Sequence, residues 1–295
     1  VETVRAGIAA AVMNSTITSV EIFDSRCLRR HPGTEVDFAN QLTGAKLLAA
    51  VRRGKFLWLP LRLPKQSEPV ALMIHLGMSG QVLLRPMGAP EDKLTRAVIT
   101  ISDSNNLTHE IRFIDQRLFG SLAIDPMIDT ADGGPGGYCP EIDGTQVEMP
   151  WQRQIPSQAA HIARDPLDPR FDQKAVVNSL HRKHTGIKRA ILDQNLISGV
   201  GNIYADESLW LSRLHYEQPT DSISTRKLNE LLEDIRAVLK KAVAAGGTSF
   251  DEQYKNVNGE SGYFAVDLNA YGQSGKPCTR CGKLIRREAW ANRGS

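Results

Sequence analysis

The densest group of residues able to do chemistry is the run Asp193-Gln194-Asn195-Leu196-Ile197-Ser198-Gly199-Val200-Gly201-Asn202. Its two glycines let a backbone approach something bulky. A helix beginning near Asn202 offers unpaired N–H groups and the positive end of a dipole. That combination suits a phosphate. Lys183, His184, Lys188 and Arg189 stand just upstream as cations. The same residues also describe a tight turn between packed helices, and a Gly-x-Gly without a preceding strand is a weak signal.

Further groups stand apart from this one. Cys278-x-x-Cys281, followed by Gly282, has the form of a zinc knuckle, but a structural tetrahedral site needs four ligands and only two are here. Cys27 and Cys139 stand alone and read as reduced thiols of a cytosolic protein. Gly54-Lys55 precedes an apolar strand, so Lys55 either is solvated or reaches a phosphate. In His75-Leu76-Gly77-Met78-Ser79-Gly80, a methionine between glycines is a candidate exposed wedge. Asp115-Gln116-Arg117-Leu118-Phe119-Gly120 places a cation and an aromatic ring at a loop tip. Wedges that enter a base stack and cations that read base edges are devices of base-flipping proteins. Each is also compatible with a half-buried loop residue.

The elements that must position these groups follow from periodicity. Val1, Val4, Ile8 and Val12 repeat at helical spacing. Strand-like runs follow at Ile17–Phe23, Phe56–Leu61, Val70–His75, Gln81–Leu84, Val98–Ser102 and Ile111–Ile114, punctuated by Gly, Pro, Asp and Asn. Residues 1–125 therefore form a mainly β domain. Residues 126–170, with Gly133-Gly134-Pro135-Gly136-Gly137, read as a linker. From 171 to 250 the period becomes helical. Leu228, Leu231, Leu232, Ile235, Val238, Leu239 and Ala242 share one face of a long helix, with Ser224 as N-cap and Gly246-Gly247 as its stop. Residues 251–270 are a polar loop and 271–295 a short basic segment.

With 41% apolar and 23% charged residues, the chain can bury a core without disulfides. No run of about 18 apolar residues or signal peptide is present, so a cytoplasmic protein is expected. The net charge of +3 is unevenly spread: the last 25 residues carry 6 basic and 1 acidic side chain, while 126–169 carry 2 and 7. A basic body and tail fit a polyanion partner, and scattered solvated charge fits equally.

Taken together, seven motifs resemble the formamidopyrimidine/endonuclease VIII family of DNA glycosylases over nearly the whole chain. They are Val1-Glu2-Thr3-Val4-Arg5, Arg53-Gly54-Lys55, His75–Gly80, Asp115–Gly120, Asp193–Glu207, Gly246-Gly247-Thr248 and Tyr271-Gly272 through Cys281-Gly282. The resemblance implies an α+β fold of two lobes: an N-terminal β-sandwich with flanking helices, then a helix–two-turn–helix domain and a zinc-finger β-hairpin. It implies a bacterial, monomeric base-excision repair enzyme acting on double-stranded DNA that contains oxidised purines such as 8-oxoguanine or formamidopyrimidines. The family flips the lesion out, forms a Schiff base through an N-terminal proline amine and cleaves by β,δ-elimination.

Residue by residue, the resemblance makes Lys55 the lysine of β-elimination and Arg293 the arginine of δ-elimination. His75, Lys183 and Asn202 become phosphate contacts. Met78 and Phe119 fill the void, and Arg117 faces the orphaned base. Cys278 and Cys281 are the first two ligands of one structural zinc, whose second cysteine pair has no match here. A family histidine that contacts DNA is replaced by Leu94, and a frequent second arginine after Arg117 by Leu118. The family's Pro-Glu-Leu-Pro-Glu, which carries the nucleophile and the acid/base, has no counterpart before Val1. Five extended residues span about 16 Å, so the Val1 amine is no substitute. The expectation is thus an enzyme whose written chain lacks both ends, with a catalytically inactive damaged-DNA-binding protein of the same fold as the alternative.

Overall fold

The computed structural model describes residues 1–64, 66, 68–142, 149–247, 268–291 and 293–294, with Arg293 described by its backbone alone. The expected loop at 251–270 and Thr248 therefore lie almost entirely outside the described residues. The described chain divides into two compact units, one ending at His161 and the other beginning at Ile162.

The first unit opens with helix α1 (Glu2–Val12), whose buried face is Val4, Arg5, Ile8, Ala9 and Val12. Strand β1 (Thr16–Ile22) follows, then α2 (Glu35–Leu42), started by a capping box between Thr34 and Asp37. Strands β2 (Lys46–Leu47), β3 (Val51–Arg53), β4 (Phe56–Arg62), β5 (Val70–His75), β6 (Gly80–Pro86), β7 (Thr95–Ser102), β8 (Thr108–Asp115), β9 (Ser121–Asp129) and β10 (Gln154–Pro156) complete it. Their order is β10-β9-β5-β4-β2-β1-β7-β8-β6, with β3 pairing β4 off this path. Among the described residues the two halves of the sheet join through β2, which meets β1 at the pair Thr16↔Lys46. They fold into a sandwich. Leu57, Leu59, Leu72, Ile74, Leu122 and Ile124 from one half share a core with Ile17, Val82, Ile99, Ile101, Ile111 and Phe113 from the other.

The alternate residues of the first half make a second core. Trp58, Ala71, Met73, Ala123 and Met127 pack against Cys139, Trp151, Ile155 and Ala159. Period two thus sends successive side chains into two cores. Residues 126–170, expected to be a linker, instead contain the end of β9 and the strand β10. The part of that segment described up to His161 belongs to the first unit. Glycine here serves close packing: a Cβ on Gly136 would stand 1.9 Å from the Gln154 carbonyl oxygen.

The second unit holds α3 (Gln173–Arg182), α4 (Ile187–Ile191), α5 (Asn202–Ser212) and α6 (Thr225–Ala244) around one apolar cluster. Ser224 caps α6, and the expected stripe from Leu228 to Ala242 is its buried face. A short hairpin, β11 (Ala289–Trp290) and β12 (Arg293–Gly294), follows with a bridge between Pro277 and Leu284. No described helix is long and apolar enough to cross a membrane.

Candidate nucleic-acid interface

In the first unit the two expected loop tips are built as one piece. Gly77 takes φ +61°, and a Cβ there would stand 2.6 Å from the Phe119 carbonyl carbon and oxygen. The 77–80 and 117–120 turns are therefore in direct backbone contact. Asp115, fully buried at the end of β8, ties them together. Its carboxylate accepts the Ser79 hydroxyl at 2.5 Å, the Arg117 N–H at 3.1 Å and the Gly120 N–H at 2.6 Å. Arg29 reaches across from the segment before α2 to the carbonyls of Leu118, Phe119 and Gly120, the last at 2.8 Å. Arg96 donates to the Asp115 carbonyl at 2.8 Å.

On this frame the candidate wedges face outward. Met78 is 71% exposed and Phe119 is 48% exposed. Arg117 is exposed beside them. A buried anion thus holds a tip that presents thioether, guanidinium and phenyl groups to solvent. Leu118 adopts φ +55°, and Leu94 adopts φ +64° with its carbonyl accepting the Asp115 N–H at 3.2 Å. Both are left-handed positions that an L side chain rarely occupies.

His75 ends β5 and is half-buried against Phe56, with ring centroids 5.4 Å apart. Burial, together with the charges of Arg30 and Arg29, lowers its pKa to about 4. Its Nδ1 is buried without a hydrogen-bond partner among the described residues. The ring is therefore neutral at pH 7. Lys55 follows Gly54 in the β3–β4 turn and is half-buried. The start of α1, at Val1, lies in the field of Arg52, Glu2 and Lys55.

In the second unit the Gly199–Gly201 turn is shaped by the Gln194 side chain. It donates to the carbonyls of Leu192 and Val200 and accepts the Gly199 N–H at 3.1 Å. Asn202 opens α5, as the glycines suggested, but its Nδ2 donates to the Gly294 carbonyl at 3.0 Å, and its Oδ1 is buried without a partner among the described residues. The basic group upstream is not a simple cationic surface. Lys183 pairs with Asp193 at 2.9 Å and His184 with Asp221 at 2.8 Å. Lys188, expected as a surface cation, is fully buried. It pairs with Asp206 at 2.6 Å, donates to the Gly294 carbonyl at 3.2 Å and lies 5.0 Å from the Trp290 ring centroid. No local signal marks it, because its partners lie on α5 and the terminal hairpin.

Glu207 closes the Asp193–Glu207 run, and nothing local in the sequence marks what it holds. Its buried carboxylate accepts the consecutive N–H groups of Asn269, Ala270 and Tyr271 at 2.8–3.1 Å. This anchors the terminal segment to α5. In that segment Cys278 and Cys281 form a knuckle: Gly282 takes φ +73° and donates to the Cys278 carbonyl at 2.8 Å. The Trp210 indole N–H and the Arg280 N–H both point at the Cys278 sulfur at 3.4 Å. The Trp210 hydrogen bond leads the effects that lower its pKa to about 7. Two donors do not complete a tetrahedral site, and no group of three or more His, Cys, Asp or Glu side chains able to hold a metal occurs among the described residues.

A β-sandwich unit followed by a helical unit, with Met78, Arg117 and Phe119 exposed on one tip, defines a candidate nucleic-acid-binding protein. The model of the formamidopyrimidine-DNA glycosylase N-terminal domain matches residues 1–122, and that of the formamidopyrimidine-DNA glycosylase H2TH domain matches residues 162–253. The chain belongs to the formamidopyrimidine-DNA glycosylase family. It is 50% identical to the formamidopyrimidine-DNA glycosylase of Leifsonia xyli, over all of this chain and 95% of that protein. It is 48% identical to that of Kineococcus radiotolerans, over all of this chain and 93% of that one. Among solved structures it resembles Lactococcus lactis Fpg bound to DNA containing an abasic site, with TM-score 0.75, 26% identity and coverage of 100% and 94%. The same protein with Fapy-dG DNA matches at TM-score 0.75.

Proposed function

We propose that this chain is a base-excision repair enzyme, a DNA glycosylase and abasic-site lyase that removes oxidised purines from double-stranded DNA. The observation that carries the reading is the Asp115-centred frame, which exposes Met78, Arg117 and Phe119 on one rigid tip. Met78 and Phe119 occupy the space left by an extruded nucleotide, and Arg117 presents its fork to the orphaned base. His75, Lys183 and Asn202 contact phosphates. Lys183 would exchange Asp193 for a phosphate, and neutral His75 would donate a hydrogen bond. Lys55 assists β-elimination and Arg293 δ-elimination, the two strand-cleaving steps of the family. The L. lactis complexes with abasic-site and Fapy-dG DNA, named above, support this substrate class.

Cys278 and Cys281 are the two cysteines through which a structural zinc would be held. Zinc would supply folding energy to the terminal hairpin, and no catalytic step is derived through it. The reading includes a monomer acting at the bacterial nucleoid in the cytoplasm.

The test is a duplex carrying 8-oxoguanine opposite cytosine, incubated with the full-length protein and borohydride. A trapped covalent complex with strand cleavage supports the enzyme. Lesion-dependent binding without trapping or base release identifies a damage-binding protein of the same fold. Binding that ignores the lesion refutes both.

A further inference from the structure

Residues 130–142 form a strap that crosses β3 beside the start of α1. The Gly136 carbonyl accepts Arg53 Nη1 at 3.3 Å, and the Gly136 N–H donates to the Gln152 carbonyl at 2.7 Å. Tyr138 and Arg52 exchange backbone hydrogen bonds at 2.7 and 3.1 Å. A Cβ on Gly137 would stand 2.5 Å from the Arg52 carbonyl oxygen and 2.7 Å from the Trp58 ring, so the approach requires glycine.

The side chains close a circuit. Glu141 accepts Arg5 Nη1 at 2.7 and 2.8 Å. Arg5, only 2% exposed, turns its Nε to Glu2 at 3.0 and 3.1 Å. Glu2 in turn accepts Arg52 Nε at 2.7 Å. The Tyr138 ring centroid lies 5.5 Å from the Arg5 guanidinium and 5.7 Å from that of Arg52. Arg52 Nη1 then donates to the Gly54 carbonyl at 3.1 Å, one residue before Lys55. Two carboxylates balance two largely desolvated guanidiniums, and removing one leaves a buried charge short of a partner.

We propose that Glu141 and Tyr138 are positioning residues: through Arg5, Glu2 and Arg52 they fix the Lys55 turn against the start of α1. The proposal rests on the role given to Lys55 above. Neither residue needs to touch DNA. The strap sets the geometry of a group that acts on the sugar, where small displacements cost rate rather than affinity.

The experiment compares Glu141→Gln, Glu141→Asp, Tyr138→Leu and Tyr138→Phe in the full-length protein. Single-turnover elimination and equilibrium affinity are measured on the 8-oxoguanine duplex, with melting temperature recorded alongside. E141Q and Y138L should slow elimination roughly ten- to a hundredfold with affinity unchanged. E141D, which keeps the charge, should recover part of the rate, and Y138F, which keeps the ring beside both guanidiniums, should be faster than Y138L. A parent-like rate for E141Q overturns the proposal. So does a rate loss that falls together with affinity and disappears on cooling, since that reports general destabilisation. If the parent itself releases no base, the functional reading fails. The brace is then judged by hydrogen exchange of the Gly54–Phe56 amides: faster exchange in E141Q sustains it, and unchanged exchange overturns it.

Discussion

The Ser79 hydroxyl meets the Asp115 carboxylate at 2.5 Å, and this contact makes two turns from different strands into one tip. Asp115 has no exposed surface, so its carboxyl oxygens are met by protein donors rather than water. Three of those donors belong to the tip itself.

Asp115→Ala strands those donors in a buried site. A loss of about 2–4 kcal/mol is expected, read from the denaturation midpoint. Ser79→Ala removes one contact and should cost about 1 kcal/mol. If D115A melts like the parent, the Asp115 contacts are not what holds the tip.

Arg117 and Lys183 should separate in kind. Arg117→Ala is expected to relax discrimination of the base opposite the lesion by about 1–3 kcal/mol while nonspecific affinity stays nearly constant. Lys183→Ala should weaken every duplex alike and make the salt dependence shallower. Binding titrations at several salt concentrations distinguish the two, and equal losses on all duplexes for R117A would contradict the base-reading role.

His75 gives a pH dependence. Folded, it takes a proton only near pH 4, against 6.5 ordinarily, because burial and the nearby Arg30 and Arg29 charges disfavour the cation. The unfolded chain therefore binds that proton first. The stability this residue contributes is full above about pH 6.5 and is lost as the pH falls towards about 4. His75→Gln should flatten that interval in a series of unfolding curves. NMR titration of the ring should move upward on duplex binding if a phosphate faces it.

Glu207→Ala should release the terminal segment, because one carboxylate holds three consecutive amides. Limited proteolysis is expected to cut near residue 268 while α5 and α6 stay protected. Cleavage no faster than in the parent would show that packing alone retains the segment.

Periodicity located six of the strands and the long helix but not α2 (Glu35–Leu42) or β9 (Ser121–Asp129), whose short or two-sided apolar patterns give no clear period. The α6 stripe from Leu228 to Ala242 and its Ser224 cap could be read directly, as could the strands carrying His75 and Asp115. So could the exposed Met78, since a methionine between glycines has no strand neighbours to bury it. The misread single residues share a cause. Lys188 reads as a surface cation locally, yet its partners Asp206 and Gly294 lie 18 and 106 positions away. Arg29 serves a turn about 90 residues distant. Gly136 and Gly137 look like flexible spacer because composition cannot tell a glycine needed for freedom from one needed for closeness.

The second core in the first unit carries a consequence for engineering. Trp58, Met73 and Met127 are sealed by Trp151, Ile155 and Cys139, all contributed after β9. A chimera that replaced this stretch with a brief connector would leave an oily sheet face wet, and such surfaces recruit one another. What composition describes as filler is therefore the half of the sandwich's insulation that cannot be trimmed, and shortened homologues would need a different cover of their own.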